Sequence, residues 1–74
     1  MNTWIIKAES EHFSWLVVGT TEKECVEAFR AGLSQHCRET EASPEWAREM
    51  LADYKPQKIS TGKCYRDGSE IKIT

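Results

Sequence analysis

The sequence predicts a small α+β domain in the order ββααββ, an antiparallel sheet of about four strands with two helices on one face. Three observations point to it. Two apolar runs near the start are separated by a polar turn, two stripes of helical period follow, and the chain then returns to strand-forming residues around an Asp-Gly pair. At 74 residues and 8.5 kDa, residues 1–74 are expected to form one domain.

Residues 3–9 read as the first strand, Ser10, Glu11 and His12 as a turn, and residues 13–18 as the second strand. Trp4, Ile6 and Ala8 share one face of the first strand, and Phe13, Trp15 and Val17 one face of the second. Leu16 and Val18 fall on the opposite face, where Ser14 is the polar exception. A strand apolar on both sides is expected to be central in its sheet, or to have one face covered from outside the chain.

Gly19, Thr20 and Thr21 end the second strand. Thr21 and Glu24 have capping-box spacing, so a helix is expected from Glu22, fading near Arg38. Its stripe is Val26, Phe29, Leu33 and Cys37, flanked by Cys25 and Ala28. Gly32 lies inside, at a cost of roughly 1 kcal/mol relative to Ala, which suggests close packing there. Ser43 and Pro44 then supply an N-cap and a first helical residue. The second helix is expected from Pro44 to about Tyr54, burying Trp46, Ala47, Met50, Leu51 and Tyr54, with Pro56 as its stop. From Gln57 the chain reads as one strand through Ile59, Thr61 and Tyr65, turns at Asp67-Gly68, and returns with Ile71 and Ile73 inward.

Several function classes lack their signatures. The longest apolar run, Trp15 to Val18, is far short of the ~20 residues that span a bilayer, and Met1 is followed by no leader-like segment. Cys25, Cys37 and Cys64 are an odd number, and on one helix Cys25 and Cys37 would stand about 18 Å apart, too far for a disulfide. Reduced cysteines in a cytoplasmic protein are expected. His36 and Cys37 are adjacent on a helix and diverge, so they make no nucleophile–base pair. Paired metal-ligand spacings are missing, and Cys25, His36, Cys37 and Cys64 are scattered. The Gly19-Thr20-Thr21 turn lacks the lysine and further glycines of a phosphate loop. No enzyme, metal or cofactor is expected.

Charge says more. Residues 38–54 carry five acids against two bases, and residues 55–74 carry five bases against two acids. Glu41, Glu45, Glu49 and Asp53 recur every fourth residue, and Glu45, Glu49 and Asp53 share the second helix as a carboxylate row spaced about 6 Å apart, which Glu41 precedes at the same spacing. Like charges at that spacing destabilise a helix by roughly 0.2–0.5 kcal/mol per pair. The row reads either as a solvated helix face or as a contact for a basic surface. Lys58, Lys63, Arg66 and Lys72 form the opposite patch, on the C-terminal hairpin beside Tyr65. They could follow a nucleic-acid backbone, against an overall pI of 5.6, or guard a sheet edge.

The opening hairpin together with residues 19–28 resembles the strand-strand-helix start of the HicB-type antitoxins. The loop motif those proteins carry before the helix is missing and the later segments diverge, so the resemblance assigns no residue a role. The expected function is a cytoplasmic, non-enzymatic protein-binding module. It would dock Glu41, Glu45, Glu49 and Asp53 on a basic groove of a larger protein, as a stand-alone inhibitor or regulator of the phage or mobile-element kind. Anti-CRISPR proteins are the analogy, and it rests on size and acidity. Trp15, Leu16 and Val18 would supply apolar anchors to a partner or to a second copy. Two further readings are a nucleic-acid binder using Lys58, Lys63, Arg66 and Lys72, and a homodimeric accessory subunit. No membrane partner is expected.

Overall fold

The computed structural model describes residues 2–66 and 69–71. Its elements are β1 (Asn2–Glu9), β2 (Ser14–Gly19), α1 (Glu22–Thr40), α2 (Pro44–Asp53), β3 (Gln57–Ser60), β4 (Cys64–Arg66) and β5 (Ser69–Ile71). The first three strands form an antiparallel sheet in the order β2-β1-β3. β4 and β5 form a separate two-stranded antiparallel sheet, with Arg66 opposite Ser69. The α+β class therefore holds, whereas one four-stranded sheet in the order ββααββ does not.

Two local causes account for the difference. The expected strand from Gln57 to Tyr65 is broken at Gly62, whose φ of 77° lies in the left-handed region that glycine adopts without a Cβ clash. The chain turns there, and β4 beyond the turn pairs with β5 instead of extending β3. The centre of the main sheet is β1 rather than β2. β1 is eight residues long and pairs along different stretches on its two sides, Trp4 to Glu9 with β2 and Asn2 to Ile5 with β3. β2 is left as an edge. The Asp67-Gly68 turn, Lys72 and Ile73 lie outside the described residues.

Both helices start where their caps dictate. The Thr21 hydroxyl accepts from the Glu24 N–H at 3.0 Å, and the Glu24 carboxylate accepts in return from the Thr20 N–H at 2.8 Å. The return bond of the capping box thus reaches one residue further back than usual. The Ser43 hydroxyl accepts from the Trp46 N–H at 3.1 Å, with Pro44 at the first helical position. α1 runs past Arg38 to Thr40 and ends on Glu41, which takes φ 60° and ψ 28°. A left-handed residue at that position closes many helices, but it is usually glycine.

Trp4, Ile6 and Ala8 lie on the helix-facing side of β1, opposite Gly19, Val17 and Trp15. Ile6, Ala8, Cys25, Phe29, Leu33 and Met50 are buried, and Trp4, Trp15, Val17, Trp46, Ala47, Leu51 and Tyr54 pack around them. Close packing belongs to Gly19 and not to Gly32. A Cβ on Gly19 would stand 2.7 Å from the Cys25 backbone nitrogen, whereas Gly32 faces open space. The end of α2 is tied to the sheet by the Tyr54 hydroxyl, which donates to the Glu9 carbonyl at 2.8 Å.

Candidate binding surface

The helix layer covers one face of the three-stranded sheet and leaves the other bare. On the bare face Val18 lies opposite Ile5, Leu16 opposite Lys7, and Ile59 opposite Thr3. Leu16 is 69% exposed and Val18 58% exposed. Ile5 and Ile59 are half-buried and continue the apolar surface across β1 onto β3. Ile59 is the member that sequence reading missed, because nothing local indicates which strand lies beside β1.

The backbone of β2 adds a second property. The Ser10 N–H donates to the Phe13 carbonyl at 2.8 Å, which makes these residues a bonded pair at the hairpin end. Bonded and non-bonded pairs alternate along an antiparallel ladder. Trp15, Val17 and Gly19 therefore bond to β1, and the N–H and C=O groups of Ser14, Leu16 and Val18 point outward. No strand pairs with that side of β2 among the described residues. The residues with outward backbone groups are the same ones whose side chains stand on the bare face.

Trp15 does not join them. It is half-buried on the helix side, where its ring meets His36 edge-on at a centroid distance of 5.3 Å and Trp46 at 5.9 Å. His36 also touches Phe13 at 4.6 Å and Trp46 at 5.2 Å, so four rings knit β2, α1 and α2 together. Phe13 is nevertheless 50% exposed, at the end of the edge strand. The expected apolar contact Trp15-Leu16-Val18 thus divides between the two faces of the sheet, as period-two alternation requires.

The acidic row is shorter than the sequence suggests. Glu41 caps α1 and lies outside α2, leaving Glu45, Glu49 and Asp53 on that helix. Glu45 pairs with Arg48 at 3.3 Å on the exposed surface, while Glu49 and Asp53 are exposed and have no ion pair among the described residues. The basic set is dispersed as well. Lys58 belongs to β3, Lys63 comes after the Gly62 turn, and Arg66 belongs to β4.

Among the described residues, hollows flank α2. One, of about 280 Å³, lies between Ile6, Phe29, Leu51 and Tyr54. Another is an open groove of about 480 Å³ between the helices, floored by Leu33, Ala47 and Leu51 with Arg30 and Arg48 alongside. The three thiols are free, with Cys25 buried, Cys37 half-buried and Cys64 exposed. Burial first, and the nearby Glu24 carboxylate second, hold the Cys25 thiol above its ordinary value of 9.0. It donates weakly to the Val17 carbonyl at 3.8 Å. Among the described residues no three His, Cys, Asp or Glu side chains converge as metal ligands, and no helix is long and apolar enough to cross a membrane.

No protein-family model, curated protein or solved structure matches this chain.

Proposed function

We propose that this chain is a small non-enzymatic binding module that works by docking onto another polypeptide through β2 and the bare sheet face beside it. One observation carries the reading. β2 is a six-residue edge strand with no charge and no proline, and its outward backbone groups coincide with exposed Leu16 and Val18. Edges are ordinarily blunted by lysine, proline or shortness, because an open row of donors and acceptors templates another strand. The opposite edge obeys that rule. β3 has four residues, carries Lys58, and comes directly after Lys55 and Pro56.

A role as stand-alone inhibitor or regulator is compatible with such a module. The acidic face of α2 remains a second contact, favoured by Glu49 and Asp53, whose carboxylates have no ion pair among the described residues, and it would suit a basic partner. Nucleic-acid binding has less support, since Lys58, Lys63 and Arg66 are spread over two sheets and the turn between them.

The test is comparative capture with three forms: the native chain, Leu16→Lys with Val18→Lys, and Glu49→Lys with Asp53→Lys. Loss of the captured polypeptide in the β2 variant alone is the expected result. Loss only in the α2 variant would move the function to the helix, and equal capture by all three would remove both surfaces.

A further inference from the structure

We infer that the occupant of the β2 edge is a second copy of this chain, paired antiparallel about a two-fold axis at Leu16. This inference rests on the reading of β2 as the binding edge and names its partner.

The register is set by the parity of the outward groups. Only Ser14, Leu16 and Val18 present N–H and C=O to the edge, so a partner strand must offer residues of the same parity. With the axis at Leu16, each Leu16 faces Leu16 of the other copy, and each Ser14 faces Val18. Every outward donor and acceptor on both strands is then satisfied, with six backbone hydrogen bonds across the seam. A shift of two residues in either direction loses a pair. A shift by one residue sets bonded against non-bonded positions and breaks the ladder.

The side chains suit this arrangement. β2 carries no charged residue, so the copies meet without like-charge repulsion and without a charge that would select a different partner. Leu16 packs on Leu16 beside Val18 on the bare face. At the ends of the strand, half-exposed Phe13 comes opposite Gly19 of the other copy. The axis is perpendicular to the sheet, so both helix layers stay on one side. Both α2 helices then stand on the same side of the joined sheet, each with its own exposed Glu49 and Asp53. Because β3 is guarded at the other edge, pairing closes at two copies instead of propagating as a fibre. A single strand pair is a small interface beside the ~1,200–2,000 Å² of permanent complexes, so the dimer exchanges with monomer as concentration changes.

Sedimentation velocity from low micromolar to near-millimolar concentration tests this, on reduced native chain and on Leu16→Lys. Leu16 is exposed, so the substitution leaves the fold intact, which far-UV circular dichroism checks. The expected result is a rise from monomer to dimer mass in the native chain, with association weakened about ten-fold or more in Leu16→Lys, where two ammonium groups would face each other. A second arm reads the register. In a Cys37→Ser, Cys64→Ser background, Leu16→Cys is expected to oxidise to a covalent dimer, because directly opposed bonded residues have Cα atoms about 5.5 Å apart. A native chain that stays monomeric throughout overturns the inference, as does a dimer that Leu16→Lys leaves untouched. If the chain is monomeric and yet the β2 double variant loses a captured polypeptide, the second copy is wrong while β2 remains the binding edge. If that capture is also unchanged, the reading of β2 falls with it.

Discussion

Gly19 and Gly32 show how differently one residue type is used within a short chain. Gly19 lets β2 run against the first turn of α1, so Gly19→Ala would press a methyl into the Cys25 backbone and is expected to cost about 1–3 kcal/mol. Gly32→Ala meets nothing and is expected to stabilise by about 0.5–1 kcal/mol through helix propensity. Urea midpoints of the two variants should move in opposite directions. Cys25 sets a pH dependence. Its thiol is held above 9.0 in the fold, so the unfolded chain ionises first as pH rises. The stabilising contribution is complete below pH 9.0 and is lost above it. Urea melts at pH 8 and pH 10 should show that loss in the native chain, with a smaller loss in Cys25→Ala. Glu41 adds a third case. It is a carboxylate in left-handed backbone at the end of α1, where both the backbone and the helix dipole disfavour it. Glu41→Gly is expected to raise the midpoint.

The elements were legible to the extent that local chemistry decides them. Thr21 with Glu24 and Ser43 with Pro44 mark both helix starts, and the stripes through Phe29, Leu33 and Met50 name the faces that are buried. Removing the Ser43 hydroxyl in Ser43→Ala orphans the Trp46 N–H and is expected to cost about 1 kcal/mol, read as a lower thermal midpoint. Strand neighbours were not legible, because they depend on pairing between distant segments. The alternation of Leu16 and Val18 with Trp15 predicts two faces but not that β2 would end as an edge. Gly62 looks like any loop glycine until its positive φ is known, and on it depends the separation of β4 and β5 from the main sheet. The acidic row misled for a related reason. A spacing of four persists through Glu41, but the helix does not, since the chain leaves α1 there and restarts at Ser43.

At the scale of the molecule the proportions are those of a protein with little core. The buried set among the described residues is Ile6, Ala8, Cys25, Phe29, Leu33 and Met50, within a body measuring 47 × 23 × 17 Å. Domains of this size hold only a few kcal/mol of net stability, so every exposed apolar surface that finds a partner matters. The same aliphatic surface that would stabilise a larger protein from inside stands on the outside here, on Leu16, Val18, Ile5 and Ile59. Amide exchange read by NMR on dilute and concentrated samples tests most directly that β2 is a working edge. The Leu16 and Val18 amides should exchange quickly when dilute, beside protected Trp15 and Val17, and slow markedly on concentration. Fast exchange at Leu16 and Val18 at every concentration would contradict self-pairing through β2, and protection already complete at high dilution would contradict an open edge.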